Sequence, residues 1–179
     1  MFARLPVILL GALLSVAACA QEQKDATASA PVAAEAGKNY FLIEPPQPTS
    51  SGDKIEVLEV FSYACVHCAH FQPYADEIKS KLPAYAQFEY LPAIFNDQWE
   101  AYARAFYCAQ SLGVLDKTHQ AVFNAVHRDH RPFRSFNDIA AFYGEQGVDS
   151  EKFTQLATSF EVQSKLARSK SLVPKLGVD

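Results

Sequence analysis

The chain has 179 residues, 49% of them hydrophobic and 12% aromatic, with 16 Lys and Arg against 20 Asp and Glu, for a net charge of −4. That apolar content is ample for a packed core, which excludes a wholly disordered chain. The acidic balance, without a basic run, gives no footprint for binding nucleic acid.

Residues 1–18 have the layout of an export signal: Arg4, then an apolar run from Val7 to Leu14, then small residues, with the run too short to span a membrane. Two endings fit. Val16-Ala17-Ala18-Cys19 resembles a bacterial lipobox, in which Cys19 is lipidated and becomes the mature N-terminus, and Ala18-Cys19-Ala20 fits a cut after Ala20. The lipobox is preferred, because a cysteine otherwise has little reason to stand there. Either ending sends the chain to an oxidising compartment. Residues 19–38 are Ala-rich and lack apolar periodicity, so they read as a flexible tether.

Residues 40–43 (Tyr-Phe-Leu-Ile) read as a short strand ended by Pro45 and Pro46. Residues 55–62, from Ile55 to Ser62, form the strongest strand pattern in the chain. A helix is expected over 65–82, stopped by Pro83, and a second strand over 87–91 before Pro92. From Asp97 onward apolar residues recur at helical spacing, punctuated by Gly113, Pro132, Gly144 and Gly147. A βαβ start followed by a run of short helices is therefore expected. The parts are 39–96 for the βαβ half, 97–171 for the helical insertion and 172–179 for a return toward the first half.

The chemistry concentrates at Cys65-Val66-His67-Cys68. Two cysteines three apart at a helix N-terminus can close a small disulfide. The positive end of the helix dipole favours a thiolate on the first. Cys65 is then the attackable sulfur and Cys68 the ring-closing one. A cationic His67 would favour the Cys65 thiolate further; the plain alternative is an exposed helix residue. Glu59 shares a strand face with Val57 and Phe61, where a carboxylate is costly unless paired or protonated. It either sits beneath the redox pair and handles the proton of Cys68, or lies on a solvated face. Cys108 reads as a small apolar helix residue, the sharper alternative being a free thiol. A zinc site is disfavoured, because Cys65 and Cys68 lack a second close pair and His127-Arg128-Asp129-His130 reads as a solvated polar turn. A purely structural bridge is also disfavoured, since so small a loop removes little unfolded-state entropy.

The segment from Val57 to Cys68 resembles the active-site segment of the DsbA family of periplasmic thiol:disulfide oxidoreductases. The stretch from Phe95 to Phe106 and His119-Gln120-Ala121-Val122-Phe123 are similar to that family's helical insertion. The resemblance implies an α/β, thioredoxin-like fold interrupted by a helical domain. It implies Cys65 as nucleophile, Cys68 as resolving cysteine, His67 as thiolate stabiliser and Glu59 as buried acid. It implies oxidation of cysteine pairs in exported proteins, reoxidation by a quinone-linked membrane oxidase resembling DsbB, a periplasmic location and no metal or organic cofactor. The family often has Pro-His between its cysteines where this chain has Val66-His67. In the family a cis-proline loop, a β-hairpin and a last helix follow a segment like 174–178; on this reading they are missing from a chain that stops at Asp179. The rival readings are a reductase or isomerase of similar fold, and an inactive tethered fragment that binds extended peptides along an open strand edge.

Overall fold

The computed structural model describes residues 33–179. The signal, the first part of the tether and Cys19 lie outside the described residues. No helix among the described residues is long and apolar enough to cross a membrane. Within residues 33–41, Ala36 and Tyr40 form an isolated bridge around a turn in which Gly37 N donates to Tyr40 O at 2.8 Å.

Residues 42–179 form one compact unit. Strand β1 (Ile55–Phe61) is rich in β-branched and apolar residues and leads into helix α1 (Val66–Lys81), which returns the chain to strand β2 (Ala86–Pro92). The strands pair in parallel, with Glu59 opposite Tyr90 and Phe61 opposite Pro92. A parallel pair requires such a crossover. Helix α1 ends at the residues ahead of Pro83, as expected, and carries Pro73 within it. Among the described residues the sheet holds these two strands.

The expected strand over 40–43 does not form: Tyr40 makes only its isolated bridge to Ala36, residues 41–43 are irregular, and Leu42 is 69% exposed. A short apolar run takes strand geometry through pairing and burial, and beyond that one bridge this run has neither.

Helix α2 (Asp97–Ser111) starts at Asn96, whose side chain accepts from Trp99 N. Seven of its residues are buried, from Tyr102 to Ala109, so it forms the central spine of the helical part. Helix α3 (Leu115–Phe123) runs directly into a five-residue π-helical segment, Asn124–Arg128. Helix α4 (Phe136–Glu145) opens on a capping box between Ser135 and Asp138, α5 (Ser150–Leu156) on Asp149, and α6 (Phe160–Lys175) on Ser159. Helix α6 continues past the expected boundary at 172, because Leu172 and Val173 bury against Leu91 and Ala93 of the sheet side, with Leu58, Val60 and Trp99 packed around them. Residues 172–175 are thus the last turn of α6.

The two faces of β1 are therefore distinct. Leu58 and Val60 face α6. Phe61 joins the main core with Tyr63, Phe106, Phe123 and the apolar residues of α4 to α6. The βαβ half and the helices thus share one core. Phe61 is its hub, with ring centroids 5.2 to 5.3 Å from those of Tyr63, Tyr90, Phe106 and His119. Phe106 is fully buried among them. Phe106→Ala should cost about 3–5 kcal/mol of stability, read as a lower midpoint in urea with an unchanged slope.

Candidate active site

Strand β1 ends by driving Phe61, Ser62 and Tyr63 into the core, all three at most 3% exposed. The chain turns immediately afterwards. Ser62 holds the turn twice: its carbonyl accepts from Cys65 N at 3.0 Å and its hydroxyl from Ala64 N at 3.2 Å. Cys65 is the N-cap of α1, with φ −90° and ψ 114°, and its sulfur accepts from Cys68 N at 3.4 Å. A sulfur in the N-cap position takes the place of the usual Ser or Asp oxygen and receives an otherwise orphaned helix N–H. Both cysteines are half-buried and stand as free thiols. Burial, reinforced by the hydrogen bond with Cys65, pushes the Cys68 thiol up to about 12. Cys68 thus stays protonated, while its N–H is directed at Cys65.

Glu59 lies on the strand face covered by α1. Its Oε1 accepts from Gln72 Nε2 at 3.4 Å, and its Oε2 is buried with no hydrogen-bond partner. Loss of water pushes its carboxyl up to about 7, against the nearby Lys79 cation, which pulls it down. Asp76 adds a smaller upward push. Gln72, itself 1% exposed, also reaches the Cys68 carbonyl at 3.4 Å and accepts from Tyr90 OH at 3.3 Å. Lys79 Nζ donates to the same Tyr90 hydroxyl. A polar chain therefore runs inside α1 from Glu59 to the partly exposed Lys79.

Glu59, His67 and Cys68 line one cavity of about 490 Å³, open at the surface, with apolar walls from Val57, Val60, Phe71 and Phe88. His67 is exposed at its rim. The four residues singled out around the pair (Cys65, Cys68, His67 and Glu59) thus stand at one end of the β1–α1 unit. Cys108 is buried in α2 against the core, where burial pushes its thiol up to about 12. Among the described residues no group of three His, Cys, Asp or Glu comes together as a metal site.

A pH dependence follows from Glu59. Its carboxyl titrates near 4.5 when unfolded and near 7 when folded. The unfolded chain therefore releases this proton first, and the stability held below about pH 4.5 is lost as the pH rises through about 7. Glu59→Gln should flatten that part of the profile, in urea unfolding of the dithiol form at a series of pH values.

Other polar residues at the site stand out only in three dimensions. His127 is not a solvated turn residue. It belongs to the π-helical segment, is half-buried, and its Nε2 lies 2.8 Å from the Tyr63 carbonyl. His119 is buried, with Nδ1 2.8 Å from the Tyr63 hydroxyl. Burial drives its imidazole down to about 3, so it is neutral. The sequence signal for His119 was its helical spacing with Val122 and Phe123; that for His127 was cancelled by its polar neighbours.

A buried strand running into a capped cysteine pair, over an acid and beneath an apolar cavity, defines a thioredoxin-like dithiol protein. Comparison with known proteins narrows the class. The DSBA-like thioredoxin domain family matches residues 74–179. The thiol:disulfide interchange protein DsbA of Pseudomonas aeruginosa is 38% identical over 137 residues, 76% of this chain and 65% of that protein. That of Pseudomonas syringae pv. tomato is 34% identical over 166 residues, 93% of this chain and 78% of that protein. An alignment of that extent includes the cysteine pair, which lies ahead of the family match. A crystal structure of a single-substitution variant of Pseudomonas aeruginosa DsbA superimposes with a TM-score of 0.79 at 36% identity, covering 82% of this chain and 80% of that one. The chain belongs to the DsbA family, with the thioredoxin-like fold that this implies, and it spans about two thirds of the length of the Pseudomonas aeruginosa relative.

Proposed function

We propose that this protein is a thiol:disulfide oxidoreductase that donates a Cys65–Cys68 disulfide to cysteine pairs of exported proteins. The observation that carries the reading is the asymmetry of the pair: Cys65 caps α1 and receives the Cys68 N–H, while Cys68 is held as a thiol beside Glu59.

In the reaction a substrate thiolate attacks Cys65 Sγ, the Cys65–Cys68 bond breaks, and a mixed disulfide forms. The Cys68 sulfur leaves with the bonding pair and takes up the proton held by Glu59. The substrate's second thiolate then attacks its own bridged sulfur, forming the substrate disulfide and expelling Cys65 as a thiolate at the helix N-terminus. Two electrons pass from substrate to protein. His67, at the cavity rim, supplies positive charge when protonated and so favours release of Cys65. The apolar cavity accepts the side chains that flank the substrate cysteine.

Family membership supports the rest of the cycle: the protein acts in the periplasm, and a quinone-linked membrane oxidase resembling DsbB restores the disulfide. The sequence pattern of residues 1–18 supports export, and the lipobox pattern Val16-Ala17-Ala18-Cys19 supports a lipid anchor on Cys19 over a cut after Ala20. A stoichiometric transfer tests the central step. Oxidised protein mixed with a reduced two-cysteine peptide should consume two peptide thiols per molecule and end with Cys65 and Cys68 alkylatable. No transfer would refute the reading.

A second reading, a peptide-binding module, is favoured by one observation: among the described residues β1 pairs only with β2. Peptide binding undiminished by Cys65→Ser, with no thiol transfer in the parent protein, would support it.

A further inference from the structure

We propose that His127 is a positioning residue for the redox pair: its ring N–H holds the Tyr63 carbonyl, fixes the turn that presents Cys65, and so makes the helical insertion a determinant of how strongly the pair oxidises. This inference rests on the oxidoreductase reading above.

The peptide unit between Tyr63 and Ala64 lies one residue ahead of the unit that enters Cys65, and both of its ends are tied. Its carbonyl accepts from His127 Nε2 at 2.8 Å, and its N–H donates to Ser62 Oγ at 3.2 Å. The Tyr63 side chain is tied as well, with its hydroxyl 2.8 Å from His119 Nδ1 and its ring 1% exposed against Phe61 and Phe123. One continuous helical stretch thus grips one residue at its backbone and at its side chain.

The π-helical segment makes that grip geometrically possible. At 3.6 residues per turn, the eight residues from His119 to His127 would overshoot two turns by about 80°. The wider i→i+5 turns of Asn124–Arg128 rotate less per residue and bring His127 back toward the face that carries His119. The His127 ring is steadied by stacking on Phe123, with centroids 6.2 Å apart and planes at 28°. An i→i+5 segment is a poorer helix than the α-helix it extends, and this contact gives it a reason to persist.

The consequence is electronic as well as steric. The Cys68 N–H stabilises negative charge on Cys65 only in the dithiol form, because the disulfide is neutral. A turn released from His127 lets the 63–64 peptide rotate and weakens that alignment, so the dithiol loses more than the disulfide does.

The test compares wild type with His127→Phe, which keeps an aromatic stack and removes the donor, and His127→Gln, which returns a donor without the ring. Each is equilibrated in glutathione buffers, acid-quenched, and its thiols counted by alkylation and mass. Far-UV circular dichroism and melting check the fold. The Phe variant should shift the equilibrium about threefold to tenfold toward the disulfide, the scale of one hydrogen bond, and the Gln variant should return to within about twofold of wild type. A Phe variant within about twofold of wild type overturns the inference, as does a Gln variant shifted as far as Phe. Failure of the oxidoreductase reading looks different: the wild type itself shows no two-electron transition. In that case the alkylation rate of Cys65 decides positioning, slowed by His127→Phe and recovered by His127→Gln if the inference holds, and equal in all three if it does not. His127→Leu, read by the same rate, replaces the Phe variant if that one does not fold.

Discussion

Cys65→Ser will abolish disulfide transfer, reducing peptide oxidation to the uncatalysed background while leaving the fold intact. The reason lies in the geometry of the N-cap. Cys65 caps α1 with a helix N–H directed at its sulfur, at 3.4 Å from Cys68 N, and the proposed reaction makes it the sulfur that is attacked. A serine oxygen can cap the helix at least as well, so the helix stays in place. It cannot form the disulfide, so no electrons can be accepted. The check is peptide thiol consumption under the stoichiometric conditions above, alongside a melting curve. Residual transfer through Cys68 alone would place the attackable sulfur at the wrong residue.

Cys68→Ser should have the second-largest effect, and of a different kind. Cys65 remains able to join a mixed disulfide, but the intramolecular thiol that reverses that step is gone. With a single-cysteine substrate activated as a disulfide, the variant should accumulate a stable mixed disulfide, seen by mass as one substrate per chain and released by dithiothreitol. In wild type, Cys68 should clear the same adduct. Cys68 must lose its proton for that attack, and burial holds its thiol up near 12. Glu59, buried beside it with a carboxyl titrating near 7, is the group able to take that proton. The clearing rate in wild type should therefore rise with pH through about 7, as Glu59 becomes a carboxylate able to act as base. Glu59→Gln should remove that rise.

The sequence was most legible where local and tertiary demands agree. Strand β1 and helix α1 fall within a residue or two of their expected bounds, because the β-branched run, the cysteine cap and Pro83 all act locally. Strand β2 likewise matches. The run at 40–43 is apolar but lacks a strand to pair with, and apolar character alone does not specify a strand. Leu172 and Val173, at the expected start of the return toward the first half, are apolar because they end helix α6 against the sheet. Glu59 was visible as an acid on an apolar face, but its companions were not. Gln72, Tyr90 and Lys79 come to it from α1 and from the facing strand, 13, 31 and 20 residues away along the chain. His127 was hidden by its neighbours Arg128 and Asp129, which pair with each other in solvent while the imidazole turns inward. No periodicity announces a π-helical segment, and only that geometry explains why a histidine in a polar stretch meets a carbonyl beside the redox turn.

The most direct measurement is the redox equilibrium of Cys65 and Cys68 in the wild-type protein. It is poised in glutathione buffers across a range of ratios, acid-quenched and counted by alkylation and mass. The account predicts a single two-electron transition at the oxidising end, near the roughly −120 mV known for a DsbA, a value taken from that family and not from this geometry. A transition at or below about −270 mV, where thioredoxin lies, would make the protein a reductant and contradict the proposed direction of electron flow.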